Sequence, residues 1–405
     1  MYDIKNKFPR KDLLVDDTLP AEKLAQARSS LTPGDLWLIL SREGSDPAVS
    51  LLLGRQLVGE LALWLTVGEA GALVSGIDAG HLEGLCGLSI QTYRFNLYAD
   101  LQALLGRLAP QRILLDVSPA DALCDGLTAG LRDRLEALAM DLRPAPLLAS
   151  SENILRRLRS VKVAAELARI QAATAQTAQL YAALLPQLRQ GMREREIQDL
   201  VNRLASQLGY QIDAGDFGGP LVLISRAGMS HRAPGETQLE AGDLLILDTS
   251  LVVHGFRSDL ARTFYALPEG AEQPPAELQR MFSSIRRATE AARSALRPGV
   301  PGWVVDAAAR QSLIADGWPE IRHSTGHQIG RRVHDGGTIL GPPGRSPLVE
   351  GTVLAGEIYA LEPTVLLSPG PSMIVEESVL VGEEQTRYLS PLQEELWPIP
   401  RVGGA

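Results

Sequence analysis

The sequence has little cysteine, no excess of positive charge and no long apolar run. Its two cysteines, Cys86 and Cys124, are too few among 405 residues for a disulfide framework, so we expect free thiols in a reducing compartment. The net charge of −9, without a basic stripe, indicates that nucleic acid is not the ligand. No run approaches the roughly 18 apolar residues that cross a bilayer, so no membrane partner is expected.

The N-terminal stretch, MYDIKNKFPRKDLL, lacks the apolar segment of a signal peptide, and we therefore expect a cytoplasmic protein. A chain of 405 residues exceeds one ordinary hydrophobic core and predicts two domains. In residues 1–150, apolar runs of strand length at 36–41, 61–67, 71–77 and 112–118 are separated by stretches of helical spacing. This predicts an α/β domain. It contains no metal-type cluster, so we expect a non-catalytic domain that could serve in dimerisation.

Two prolines, Pro144 and Pro146, mark the predicted boundary to a second domain over residues 155–400. Ser160 is a candidate N-cap for the helix that follows, and Gly209 is the predicted stop of the next one. Residues 275–299 predict a further long helix. Glycines punctuate short apolar runs elsewhere in this part of the chain, so the second domain is predicted to be α+β.

Two aspartates flank a predicted turn at residues 253–255. Asp248 precedes the turn and Asp259 follows it, so an antiparallel hairpin would make them close cross-strand neighbours. Facing carboxylates in an apolar hairpin repel each other, and a cation between them removes that penalty. The alternative is that one or both face solvent, since aspartate is common on exposed strand faces.

Three of the six histidines, His323, His327 and His334, fall within twelve residues in a glycine-rich loop. Neutral imidazole is the commonest metal ligand, and glycines allow close approach of the backbone to a ligand. Glu362 and Glu376 each interrupt an apolar run of strand length and therefore need a partner or a metal. Glu377 is expected to face solvent, because alternate strand residues point to opposite sides.

Together these residues offer four carboxylates and one imidazole, which two divalent cations would neutralise. An oxygen-rich ligand set with one nitrogen and no sulfur favours Mn²⁺ or Co²⁺, with Zn²⁺ as an alternative. Two such cations can share a water and lower its pKa towards neutrality, so that no serine or cysteine nucleophile is needed.

These segments, in this order, resemble the pita-bread metallopeptidases. The matching pieces are LDTSLVVHGFRSDLARTF, HSTGHQIG, LEP and VEE, and the N-terminal α/β domain is similar to that of the proline-specific branch, which includes prolidase and aminopeptidase P. The resemblance implies an α/β domain followed by a pita-bread catalytic domain. It also implies hydrolysis of the bond before a proline in small peptides, and a homodimer.

The resemblance implies roles for single residues. Asp248 would bind one metal, His327 and Glu362 the other, and Asp259 and Glu376 would bridge both. Glu362 would also carry the proton from the attacking water to the leaving amine. Substrate contacts are implied for His231, His323 and His334, and His231 and His334 would stabilise the reacting amide. Apart from the resemblance, Arg232, Arg331 and Arg332 lie beside these histidines in the sequence and are candidates for a clamp on a substrate carboxylate.

Four interpretations of the function remain open at this point. An Xaa-Pro dipeptidase must clamp a free carboxylate close to the scissile bond, whereas an Xaa-Pro aminopeptidase leaves that side open for a longer chain; the dipeptidase is preferred. A creatinase-like hydrolase that works without metal, or a non-catalytic peptide-binding relative, would be expected to have lost metal ligands. All five candidate ligands are present here.

Overall fold

The apolar run near residue 36 forms an inner strand of a six-stranded mixed sheet in the computed structural model, which describes residues 18–215, 218–229 and 232–400. The sheet has the order β4-β3-β2-β1-β5-β6. Its strands are β1 (Asp35–Ser41), β2 (Leu61–Leu65), β3 (Ala70–Val74), β4 (Ser89–Thr92), β5 (Arg112–Leu115) and β6 (Leu147–Ser150). All four apolar runs of the N-terminal part are therefore strands, as predicted.

Helices cover both faces of this sheet. They are α1 (Leu19–Arg28), α2 (Pro47–Leu53), α3 (Gly76–Ala79), α4 (Leu97–Leu108), α5 (Ala129–Asp141) and α6 (Glu152–Ser160). Buried residues of α1, α2 and α6 pack with Trp37 and Ile39 on one face, and those of α4 and α5 pack with Leu36 and Leu38 on the other. Every residue of β1 is buried because both of its faces meet helices.

Contacts between Cα atoms divide the chain into two units, with the division between Ala165 and Glu166. The second unit contains four long helices, α7 (Ala164–Leu184, which starts just before the division), α8 (Glu194–Leu208), α9 (Ala276–Ala295) and α10 (Gly302–Ala315). The prediction that Ser160 caps the first of these is wrong, because Ser160 is the last residue of α6. Gly209 ends α8 in the left-handed conformation, as predicted.

Two four-stranded sheets of the second unit carry the candidate site. The first has the order β19-β12-β9-β8 and the second β13-β14-β17-β18; β11-β10-β7 and β15-β16 are smaller. The strands are β7 (Gln211–Ile212), β8 (Leu221–Ile224), β9 (Leu244–Thr249), β10 (Leu251–Val253), β11 (Phe256–Arg257), β12 (Leu260–Ala266), β13 (Gly326–Gln328), β14 (Ile358–Leu361), β15 (Thr364–Leu366), β16 (Ser372–Ile374), β17 (Glu377–Val381), β18 (Thr386–Tyr388) and β19 (Trp397–Ile399).

Each of these two sheets buries one face against a pair of helices. Residues of α7 and α8 pack on β8, β9 and β12, where the Tyr181 hydroxyl lies 2.8 Å from the main-chain oxygen of Leu260 and 3.0 Å from that of Leu247. Residues of α9 and α10 pack on β14 and β17. No helix within the described ranges is long and apolar enough to cross a membrane.

The N-terminal unit contains two buried carboxyl groups that face each other, those of Asp46 and Asp116. Asp46 accepts a hydrogen bond from the main-chain N–H of Ala48, and Asp116 Oδ1 accepts from Trp37 Nε1 at 2.6 Å and from the Ser151 hydroxyl. Burial raises the pKa of Asp116 to about 6. Burial, and then the charge of Asp116, raise the pKa of Asp46 well above its usual range. Burial of the pair therefore disfavours ionisation of both carboxyl groups at once.

This pair predicts a pH-dependent stability that Asp46→Asn removes. An unfolded aspartate has a pKa of about 4, so the contribution of Asp116 is complete below pH 4 and is lost as the pH rises through 6. Asparagine keeps the oxygen that accepts from Ala48 and adds a permanent N–H donor towards Asp116. We expect Asp46→Asn to raise the unfolding temperature by about 2–4 °C at pH 8 and to change it little at pH 4, by differential scanning calorimetry.

Asp35→Asn is the control, because it should change the unfolding temperature at pH 8 in the opposite direction. The Arg112 guanidinium, at 2.8 Å, holds the pKa of Asp35 down at about 2, so this carboxylate stabilises the fold above pH 4. Asp35→Asn should lower the unfolding temperature at pH 8. An Asp46→Asn variant that is less stable than the parent at pH 8 would contradict the conclusion that ionisation of this buried pair costs stability.

Candidate metal centre

The hairpin that carries the two aspartates turns at His254 and Gly255. Both residues have positive φ angles, 47° and 82°, which is the geometry of a tight two-residue hairpin turn. Asp248 on β9 pairs with Ala261 on β12, and Asp259 lies two residues before Ala261. The two aspartates are therefore diagonal neighbours on one face of the sheet rather than directly opposite each other.

The second sheet supplies the imidazole and the two glutamates. His327 on β13 pairs with Ala360 on β14, and Glu362 immediately follows β14. Glu376 immediately precedes β17, and its main-chain N–H donates to the main-chain oxygen of Ala261 at 3.1 Å. This last bond connects the strand that carries Asp259 with the segment that carries Glu376.

The functional atoms converge on His327 Nε2. It lies 3.4 Å from Asp259 Oδ2 and 3.7 Å from Glu362 Oε1. Asp259, His327 and Glu376 each bring a ligand atom within 4.8 Å of the other two. Asp248 acts on this group electrostatically, since its charge raises the pKa of Asp259, Glu362 and Glu376. The structure therefore brings Asp259, His327, Glu362 and Glu376 together, with Asp248 on the neighbouring strand of the hairpin that leads to Asp259.

The carboxyl groups of this region are crowded and desolvated. Burial, and next the charge of Asp248, raise the pKa of Glu362 to about 8. Burial and the neighbouring carboxylates also raise the pKa of Asp259 and of Glu376 well above the usual range. Carboxylates in such a setting gain from a cation, because it offsets both their desolvation and their mutual repulsion. The donor set therefore fits divalent metal ions.

His327 is held in its neutral form. Burial, and then the neighbouring His334, lower its pKa to about 3. Its Nδ1 lies 3.3 Å from the main-chain oxygen of Gln328, which can only accept a hydrogen bond. The proton therefore belongs on Nδ1, and the lone pair of Nε2 points to the carboxylates.

The predicted substrate residues differ in their placement. The rings of His334 and His327 are 4.1 Å apart between centroids, and His334 is exposed. His323 is half-buried with Nδ1 2.7 Å from the main-chain oxygen of Ser324, and burial lowers its pKa. Arg332 is exposed. His231 lies outside the described residues.

One buried ion pair beside this region was not predicted from the sequence. Asp306 and Arg310 lie one turn apart on α10, and Arg310 also donates to the main-chain oxygens of Ile321 and His323. Asp306 Oδ1 accepts from the main-chain N–H and the hydroxyl of Thr325. The pair therefore fixes the segment that leads into His327. Its signal was opposite charges four residues apart within an apolar helix.

The prediction that Glu377 faces solvent is wrong. Its side chain is completely buried and lies 2.9 Å from Arg262 Nη2, in an ion pair that is likewise buried. Strand alternation does turn Glu377 away from Glu376, but that side of β17 meets protein rather than water.

The sequence profile of metallopeptidase family M24 matches residues 168–383. Among curated proteins, the chain is 32% identical over 204 residues to the probable dipeptidase PepE of Mycobacterium bovis, which is 49% of this chain and 51% of that protein. It is 24% identical over 249 residues to the Xaa-Pro dipeptidase of Pyrococcus furiosus, which is 60% of this chain and 67% of that protein. The chain spans between about half and two thirds of the length of the curated relatives that it matches.

Among solved structures, the X-Pro aminopeptidase of Thermotoga maritima superposes with a TM-score of 0.74 at 19% identity, over 92% of this chain and 100% of that one. This similarity confirms the predicted fold class, an α/β domain followed by a pita-bread domain. The family profile covers more than half of the 405 residues and includes all five candidate ligands. The chain belongs to metallopeptidase family M24.

Proposed function

We propose that the chain is a dinuclear-metal exopeptidase that hydrolyses the peptide bond before a proline, in the first instance as an Xaa-Pro dipeptidase. The observation that carries the proposal is the convergence of Asp259, His327 and Glu376 within 4.8 Å, with Glu362 3.7 Å from the same imidazole. Asp248 completes the ligand set from the opposite strand of the hairpin.

The donors suit Mn²⁺ or Co²⁺, with Zn²⁺ as the alternative, because oxygen atoms outnumber the single nitrogen and sulfur is absent from the set. When bound, two such ions supply Lewis acidity and lower the pKa of a water. In this proposal Asp248 would hold one ion, His327 and Glu362 would hold the other, and Asp259 and Glu376 would contribute ligand atoms to the pair.

The remaining chemistry falls to side chains of the site. Glu362, at the edge of the group, takes the proton of the attacking water and passes it to the departing nitrogen. His334, which is exposed beside His327, would donate a hydrogen bond to the reacting amide. His323 and, by resemblance, His231 complete the substrate contacts. Because the nitrogen of an Xaa-Pro bond carries no hydrogen, a site for this bond cannot rely on an amide N–H donor.

The relatives support both forms of the proposal. The names of the Mycobacterium and Pyrococcus proteins favour a dipeptidase, and the Thermotoga structure favours an aminopeptidase. The geometry bears on one of the candidate arginine clamps. Arg232 is held by the buried carboxylate of Glu194, with nitrogen–oxygen distances of 2.6 and 2.7 Å, so it is already paired. Arg332, which is exposed, stays the candidate clamp. We further propose a cytoplasmic homodimer with a non-catalytic N-terminal domain.

The first prediction from the proposed function concerns metal content and substrate length. Protein purified without chelator should contain about two equivalents of divalent metal, measured by plasma mass spectrometry. With Mn²⁺, Co²⁺ or Zn²⁺ added, it should cleave Ala-Pro and leave Ala-Ala intact. Cleavage of Ala-Pro-Ala in preference to Ala-Pro would establish the aminopeptidase instead. Metal-free protein that cleaves none of the three peptides after loading would refute the proposed function.

The second prediction concerns Glu362. Glu362→Gln keeps the size of the side chain but removes its ability to take up a proton, so kcat for Ala-Pro should fall by about 10²–10⁴-fold. The fold should be retained, as judged by circular dichroism. Glu350→Gln, the same change at an exposed glutamate outside the proposed ligand set, serves as the comparison. A Glu362→Gln variant with kcat near that of the parent would remove Glu362 from the proton-carrying role.

The third prediction tests Arg332 as the carboxylate clamp. A charge-assisted hydrogen bond to the substrate carboxylate is worth about 1.5–3 kcal/mol, so its loss should raise KM for Ala-Pro by about tenfold or more. KM for Ala-Pro amide, which has no carboxylate, should be the same in Arg332→Ala and the parent. Equal KM values for Ala-Pro in the two proteins would exclude the clamp.

A further inference from the structure

Arg262, three residues after Asp259 on β12, is only 2% exposed. A charged side chain is rarely buried without partners, and Arg262 has four. Its Nη1 donates to the main-chain oxygens of Glu376 at 2.6 Å and Ala261 at 3.0 Å. Its Nη2 donates to Glu377 Oε2 and to the main-chain oxygen of Pro391, both at 2.9 Å. One guanidinium therefore joins the strand that carries Asp259 to the segment that carries Glu376.

Glu377 is the anionic partner of Arg262, and both of its carboxylate oxygens accept hydrogen bonds. Besides Arg262, it accepts from Ser390 Oγ at 2.6 Å, from the main-chain N–H of Gln393 at 3.1 Å and from Arg286 Nη1 at 3.3 Å. A buried charge pair avoids a desolvation penalty only when its remaining donors and acceptors are paired in this way. The network is thus a rigid element rather than a source of instability.

Three further hydrogen bonds tie the same two segments together. The main-chain N–H of Glu376 donates to the main-chain oxygen of Ala261 at 3.1 Å. The hydroxyl of Ser378 donates to the main-chain oxygen of Asp259 at 3.1 Å, and that of Thr263 to the main-chain oxygen of Ile374 at 2.6 Å. The backbones on both sides of Asp259 and Glu376 are therefore fixed to each other.

Such fixation is needed because Asp259 and Glu376 lie next to strands of different sheets, β12 and β17, and their carboxylates repel each other when both are ionised. Their carboxylates are buried and bring ligand atoms within 4.8 Å of each other. Repulsion between them would favour separation of the two sheets before any metal is bound. Arg262 opposes that separation by holding the two backbones together. Its four hydrogen bonds go to main-chain oxygens and to Glu377, and none of the four goes to a ligand carboxylate.

We infer that Arg262, with Glu377, is the positioning residue of the metal centre: it sets the separation of Asp259 and Glu376 and thereby the affinity of the site for its metals. The inference rests on the proposed function, since it concerns the same dinuclear site. Arginine is required because a planar fork with several donors reaches three main-chain oxygens and a carboxylate at once. Lysine keeps the charge but cannot reproduce that geometry.

The test is metal binding by Arg262→Lys. Metal-free protein is titrated with Mn²⁺ by calorimetry, and the absorption spectrum of bound Co²⁺ is recorded. Loss of a group that orients a ligand weakens metal binding by about 10–100-fold, so we expect at least one of the two ions to bind about tenfold more weakly, with an altered Co²⁺ spectrum. Glu377→Gln should act in the same direction and serves if Arg262→Lys does not fold.

Two controls separate positioning from general destabilisation. Arg286→Lys alters the other arginine on Glu377, which makes no recorded hydrogen bond to the ligand segments, and should bind Mn²⁺ as the parent does. Leu313→Ala removes core packing in α10 and should lower the unfolding temperature without changing the Co²⁺ spectrum.

The outcomes are distinct. A parent protein that binds no divalent metal refutes the proposed function itself. A parent that binds two ions, together with Arg262→Lys or Glu377→Gln variants that bind both with parental affinity and spectrum, overturns the positioning role. An equal loss of affinity in Leu313→Ala would overturn it too, by showing that stability alone sets metal binding.

Discussion

Mutual repulsion among buried carboxylates is the constraint on which the second unit depends. Asp248 and Asp259 come from one sheet and Glu362 and Glu376 from another, and burial together with neighbouring charge raises the pKa of the last three. A polypeptide that gathers such groups must offset the cost elsewhere. Here the helices pack against the outer faces of the sheets, and buried ion pairs behind the ligands connect their strands.

The sequence predicted the candidate ligands because each one breaks a local rule. Glu362 and Glu376 interrupt apolar runs of the sequence, and His327 lies in an unusually glycine-rich stretch. Glycine is required at Gly326, because a Cβ there would lie 2.1 Å from the main-chain oxygen of Ala360. The diagonal relation of Asp248 and Asp259 was less predictable, since it depends on the hairpin register, which the turn at residues 254–255 fixes.

Other features depend on tertiary partners that a local pattern does not reveal. Arg262 in a strand resembles any charged residue on a solvent face, and its partner Glu377 lies in a distant segment. The expectation that Glu377 faces water failed for the same reason, because alternation gives the side of the strand but not what covers it. In the N-terminal part, by contrast, apolar runs such as that of β1 sufficed, since a strand buried on both faces needs no partner-specific information. The failed cap at Ser160 shows that helix ends depend on where the preceding helix stops.

Charge balance connects the ligand set with the network behind it. Burial keeps His327 neutral, so the proposed site carries only the four negative charges of its carboxylates, which two divalent ions match. A free cation behind the ligands would upset that balance by competing with the metals for the carboxylates. Arg262 does not, because Glu377 neutralises it at 2.9 Å and main-chain oxygens occupy its other donors. The chain thus gains a rigid, multidentate connection between the two sheets that flank the candidate ligands, without pairing Arg262 with any of the candidate carboxylates.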